Sequence, residues 1–381
     1  MAIETNEFIY EYLNATRYNA LGTYSTDAAI HLEQEIFDGV LYSALKDVFQ
    51  DLHLTLCQCD TYNLYSEILP IQVKDSEMEY YLVYDRHMTI INRIFNAIYL
   101  QEEDATGHDV WKLAYELFME STILDDNHMC STYFGMNKLA LGDYESKELW
   151  FKEEDNFMCY VQMAYVMGHE IGHWVYSISN DEKGSKNLNL KDELSFTFQN
   201  IKDMVVEIFR EFLETFKDKE YYQLILEGNK AINDRIIEEC FADAFAISVV
   251  LKLVNEFDDE DLSQLGFGDR DPDSVTLEAM LVLFLNLQIL AMHKMTVSSE
   301  SFEIQTTIRL SFFRQYVQYY YEDMEDEFKN LLNVTVQRYE KKITNVILEA
   351  FSELEDRADL LEEKLSEWDS KELDVSLFME L

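Results

Sequence analysis

His169, Glu170 and His173 stand as H-E-x-x-H within residues 166–175, VMGHEIGHWV. On a helix the two histidines fall one turn apart on one face, so both imidazoles can close on a single cation. Glu170 lies on the neighbouring line of that face, within reach of a water that the cation would acidify. The chemistry this spacing suits is metal-assisted hydrolysis. The surrounding run, FMCYVQMAYVMGHEIGHWVYSI, is apolar and free of proline. Burying two imidazoles and a carboxylate in such a helix costs on the order of several kcal/mol unless they are paired or bound to metal. Gly168 and Gly172 each weaken a helix by about 1 kcal/mol relative to alanine. Small residues there would admit another backbone or a substrate.

A catalytic zinc needs a third protein ligand. The segment IIEECFADAFA carries Glu239 and Asp243, four apart and on one helical face. Glu239 is a candidate ligand, and Asp243 a candidate partner for the outer nitrogen of a ligand histidine, where it would fix the tautomer and the ring. Glu238 competes with Glu239 for the metal, but the residue four positions after it is Ala242, which offers no such partner. Candidates for stabilising a developing oxyanion are His293, Arg309 and several tyrosines.

These groups need helices to hold them. Residues 5–60 read as helical, with apolar residues at mixed three and four spacing, as in IFDGVLYSALKDVF. Ile68–Val73 and Glu79–Tyr84 are short and rich in β-branched and aromatic residues, and they predict a hairpin. Helices are expected over Met88–Leu100 and Val110–Leu124, with a further strand over Ser131–Leu141. Asp155 or Asn156 would cap the motif helix, which runs to about Ser179, and Ile201–Phe216 would form an amphipathic helix. Asp234 would cap the helix carrying Glu239, and Asp273 the apolar helix that includes Ala279–Met292. Asp269, Asp271 and Asp273 alternate like a calcium loop, but Ser274 and Met280 stand where that loop needs Gly and Glu. Phe351, Leu354, Ala358, Leu361, Leu365 and Trp368 make two heptads, a seam for docking or for a homodimer through the C-terminal helix.

Composition bounds the rest. Only 2 Pro and 11 Gly occur in 381 residues, which disfavours turn-rich all-β folds. With 48% hydrophobic residues there is apolar surface enough for a core despite a net charge of −44. That charge repels phosphate backbones and anionic membrane surfaces, so neither nucleic acid nor membrane is an expected partner. The five cysteines (57, 59, 130, 159 and 240) show no disulfide spacing and read as buried apolar thiols in a reducing compartment. The N-terminal MAIETNEF has no signal-peptide pattern, and the most apolar run is too short to span a bilayer. The expected location is the cytoplasm.

H-E-x-x-H followed by E-x-x-x-D on a later helix resembles the gluzincin zinc metallopeptidases. EECFADAFA is similar to the second motif helix of HtpX-like and ImmA/IrrE-like peptidases. The order of strand pair, helix and apolar motif helix also resembles the Lit-type phage-exclusion peptidases. The resemblance spans about residues 65–315 and rests on the motifs. It implies zinc held by His169, His173 and Glu239, Glu170 as catalytic base, and Asp243 behind a histidine. Arg309 would correspond to an arginine that follows the core in some relatives, although the usual His-Pro before it is missing. The spacer between His173 and Glu239 is longer than in compact members, and the membrane helices of HtpX-like members are not evident.

The expected fold is mainly α, within the α+β class. It is a helical zincin-like core with a small antiparallel sheet or hairpin and extra N- and C-terminal helices. The expected division is an N-terminal helical region 1–64, a metallopeptidase core 65–315 with an inserted helical segment 180–230, and acidic C-terminal helices 316–381. The expected function is zinc-dependent peptide-bond hydrolysis on a protein or peptide substrate, with a bias toward basic segments set by the acidic surface. Two alternatives stand beside it. One is a latent defence or regulatory peptidase specific for one cellular protein, and the other is a non-enzymatic acidic interaction or decoy protein.

Overall fold

The computed structural model describes residues 27–45, 54–59, 66–72, 78–100, 153–180, 199–208, 210, 230–257, 270–294, 300–320 and 325–344. They form a mainly helical protein with a small mixed sheet. The order is α1 (Asp27–Leu45), β1 (Leu54–Cys59), β2 (Glu67–Gln72), β3 (Met78–Asp85), α2 (Arg86–Leu100), α3 (Glu153–Asn180), α4 (Lys230–Asn255), α5 (Pro272–Lys294), α6 (Glu300–Tyr320) and α7 (Glu325–Tyr339). A π-helical turn, Glu340–Thr344, follows α7. A further helical stretch covers residues 199–208.

α3 is the central element. Phe157, Val161, Ala164, Tyr165, Met167, Ile171 and Val175 are all buried, so the helix is apolar around most of its circumference. It packs against α1, α2, α4 and α5, and against β2 and β3. Tyr80 of β3 meets Trp174 of α3 with ring centroids 4.9 Å apart, which seats the sheet on the C-terminal half of the motif helix. One hydrophobic cluster runs from Ile36 through these elements to Ile343.

The hairpin expected over Ile68–Val73 and Glu79–Tyr84 is present as β2 and β3, paired antiparallel with Leu69 opposite Tyr81. The sheet is not wholly antiparallel. β1 lies on the other side of β3 and pairs with it in parallel, Leu56 opposite Leu82. Residues 54–59 are therefore a strand where helical periodicity was expected. LTLCQC is buried on both faces, with Leu54 and Leu56 in the main core and Cys57 and Cys59 in a second cluster with Tyr81 and Val83. Such a strand carries no in-and-out alternation to mark it. Pro70 fits because β2 is an edge strand, where a missing N–H costs no ladder bond.

Three helix starts differ from expectation. α3 begins at Glu153 and α4 at Lys230, so Asp155, Asn156 and Asp234 lie inside helices rather than at their caps. α5 is capped by Asp271 instead of Asp273. The Asp271 Oδ2 accepts the Ser274 N–H at 2.9 Å, and Pro272 occupies the first helical position, where its lack of an N–H is harmless. Asp273 instead places a carboxyl in the first turn.

Residues 199–208 keep the amphipathic pattern, with Ile201, Val205 and Ile208 buried. Asn286 of α5 finds polar partners in the core. Asn286 donates to Asn92 at 3.0 Å and accepts from the Tyr339 hydroxyl at 2.8 Å. Cys57, Cys59, Cys159 and Cys240 are buried thiols outside any disulfide, as expected. Among the described residues no helix is long and apolar enough to cross a membrane. The expected helix Val110–Leu124, the strand Ser131–Leu141, Cys130 and the heptad seam from Phe351 to Trp368 lie outside the described residues.

Candidate metal centre

Two small-residue steps bring the motif helices together. A Cβ on Gly168 would stand 3.2 Å from the Ala246 Cα, and one on Gly172 would stand 2.7 Å from the Ala242 Cα. The second distance is closer than real Cβ contacts allow. The glycines therefore let the α4 backbone, rather than a substrate, lie against α3. Gly168 meets Ala246 and Gly172 meets Ala242, so the two helices run antiparallel at this crossing. One residue further along α3 and three residues back along α4, His169 meets Asp243 and His173 meets Glu239.

That match assembles the donors. His169 Nε2 and His173 Nε2 lie 3.1 Å apart. Glu239 Oε2 lies 3.5 Å from the first and 3.8 Å from the second. Donors arranged tetrahedrally around zinc at its usual bond lengths sit about 3.3 Å from one another. Two imidazole nitrogens and one carboxylate oxygen at these spacings fit such an ion, and His169, His173 and Glu239 together could hold a metal.

Each histidine has an outer carboxylate. His169 Nδ1 lies 2.9 Å from Asp243 Oδ1, close but off the line of a hydrogen bond. His173 Nδ1 lies 3.0 Å from Glu238 Oε1. Both Nε2 atoms face Glu239. Glu238, the competitor of Glu239 for the metal in the sequence, instead sits behind His173 at its Nδ1.

Arg309 of α6 closes the cluster. Its Nε donates to Asp243 Oδ2 at 2.8 Å and its Nη2 to Asp243 Oδ1 at 2.6 Å. Its Nη1 lies 3.0 Å from Glu239 Oε2. Asp243 is fully buried, and its Oδ1 also accepts the Tyr165 hydroxyl at 2.8 Å. Tyr165, four residues before His169 on α3, was not singled out by sequence. Its spacing from His169 is the signal that could have found it. Glu170 is partly buried on α3. His293 lies in the last turn of α5, and its side chain is outside the described residues.

Burial and neighbouring charges shift the groups of the cluster in opposite directions. Burial disfavours a protonated His169, but Asp243 and Glu239 override it and lift the imidazole to about 9. Burial and the neighbouring His169 charge push His173 the other way, below its ordinary value. Burial would raise Glu239, yet His169 and Arg309 draw it down to about 2. Burial works against an ionised Asp243 as well, and Arg309 with His169 holds it well below the usual carboxylate range. A metal ion entering here must displace the His169 proton, so binding and proton release are linked.

Comparison of the chain with protein-family models, with curated proteins and with solved structures finds no match.

Proposed function

We propose that the chain is a zinc-dependent peptide hydrolase. The observation that carries this is the meeting of His169, His173 and Glu239 from two separate helices, with donor spacings suited to one ion. Zinc bound there would supply the Lewis acid that acidifies a water and polarises a peptide carbonyl. His169 and His173 would bind through Nε2, and Glu239 through its carboxylate. Asp243 and Glu238 would hold the two imidazoles by their outer nitrogens. Glu170 would take the proton from the attacking water and deliver it to the leaving amine. Arg309 has its guanidinium committed to Asp243 and Glu239, which favours a part in holding those carboxylates. The net charge of −44 favours substrates whose cleavable segment is basic.

The test is metal analysis with cleavage assays. The purified chain should carry one zinc, His173→Ala should lose it, and wild type should cut unfolded, Lys/Arg-rich substrates faster than acidic ones. A wild type that binds no more zinc than His173→Ala would overturn the metal centre. A wild type that holds zinc but cleaves none of these substrates would overturn general proteolysis and leave a dedicated substrate as the alternative.

A further inference from the structure

Asp243 Oδ1 is met by groups from two helices, α3 and α6. Arg309 takes both of its oxygens in a fork, a geometry that draws a carboxylate into the guanidinium plane. His169 needs the Oδ1 oxygen turned toward its own Nδ1. The Tyr165 hydroxyl also donates to Oδ1, and it does so from α3, one turn before His169. Its ring lies 19° from parallel to the His169 imidazole, with centroids 6.2 Å apart. Phe284 packs edge-on against Tyr165 with centroids 5.5 Å apart, and the same Phe284 ring lies beneath the Arg309 guanidinium. The tyrosine is 1% exposed, so ring and hydroxyl have little freedom to move.

We infer that Tyr165 is a positioning residue of the metal centre: its hydroxyl ties Asp243 Oδ1 to the helix that bears His169 and holds that oxygen beside the imidazole while Arg309 grips the same carboxylate from α6. The inference rests on the metal-centre reading above. Its physical content is that orientation of a ligand imidazole depends on its outer partner, and loss of such partners costs about 10- to 100-fold in metal affinity. Without the hydroxyl, Asp243 keeps the Arg309 fork but loses its tie to α3, and Oδ1 is free to swing away from the His169 Nδ1. His169 then loses the group that sets its ring plane and leaves Nε2 facing Glu239.

Tyr165→Phe removes one oxygen and keeps the packed ring. Zinc affinity is measured by competition with a chromophoric chelator, and the cobalt-substituted protein gives a ligand-field spectrum that reports donor geometry. Tyr84→Phe is the control, since that buried hydroxyl bonds Thr89 away from the site. The expected result is zinc binding weakened about 10-fold or more in Tyr165→Phe with an altered cobalt spectrum. Tyr84→Phe should match wild type in both, and the far-UV circular dichroism of all three metal-free chains should agree. The double variant Tyr165→Phe, Asp243→Asn should lose little more affinity than Asp243→Asn alone, because the hydroxyl acts through that carboxylate. Wild-type affinity and spectrum in Tyr165→Phe would overturn the inference while the metal centre stands. An unfolded Tyr165→Phe, or full additivity with Asp243→Asn, would overturn it too by showing a purely structural role. A wild-type chain that binds neither zinc nor cobalt would remove the metal centre itself, and the inference with it.

Discussion

Gly172 of α3 lies so close to Ala242 of α4 that a Cβ on the glycine would stand 2.7 Å from the alanine Cα and 3.1 Å from its carbonyl oxygen. The obstacle is backbone, which cannot rotate aside, so any side chain at residue 172 separates the helices. Gly172→Ala should therefore destabilise the protein by about 1–3 kcal/mol and cut metal affinity by moving His173 away from Glu239. Gly168→Ala, with 3.2 Å available, should do less of both. Urea unfolding and zinc titration of the two variants check the order. Equal affinity in wild type and Gly172→Ala would contradict it.

Glu170→Gln should retain the metal and the fold, because the substitution keeps the side chain's size and leaves the His169, His173 and Glu239 donors in place. Peptide hydrolysis should fall by about 10²- to 10⁴-fold, the usual scale for a removed general base. Zinc content, thermal unfolding and turnover measured on one preparation separate this from a ligand loss. A variant that keeps wild-type turnover would remove Glu170 from the chemistry.

Asp243→Asn leaves Arg309 buried with one anionic partner fewer, and losing one member of a buried ion pair costs on the order of 3 kcal/mol. The pH dependence follows from the depressed carboxyl. Its contribution is fully present above the unfolded-state value near pH 4 and is lost as pH falls through the lower folded-state value. The stability gap between wild type and Asp243→Asn should be widest at neutral pH and should shrink below about pH 4. Denaturant unfolding of the metal-free proteins from pH 7 downward measures it. A gap that stays constant would mean that the charge does not act in this way.

Asp271→Ala removes the side-chain acceptor for the Ser274 N–H at the start of α5. The expected cost is about 1 kcal/mol of stability with zinc affinity unchanged, since none of the centre's donor residues lies on that turn. Asp273→Ala should cost less, because Asp273 lies past the cap. A larger loss at 273 than at 271 would reverse the assignment.

His169, His173, Glu239 and Asp243 were legible in the chain because helical periodicity is local. Four-residue spacing places side chains on one face whatever the helix packs against. The mainly helical class and the β2–β3 hairpin were legible for the same reason, as patterns within a few residues of themselves. β1 was not, because its two buried faces depend on a parallel neighbour more than twenty residues away. The helix caps shifted because several polar residues compete near each start, and only backbone geometry selects one of them.

Which carboxylate meets which histidine lay beyond local pattern. Glu238 and Glu239 are adjacent and chemically alike. The crossing of α3 over α4, held close by Gly168 and Gly172 against Ala246 and Ala242, turns Glu239 toward the two Nε2 atoms and leaves Glu238 at the His173 Nδ1. Arg309 and Tyr165 entered the centre the same way, through the docking of α6 and the burial of Asp243. The chain alone determined that two histidines and a carboxylate with metal-ligand spacing stood on two apolar helices. Tertiary packing decided the roles within it, because pairing between charged groups depends on distances of a few ångströms between elements far apart in sequence.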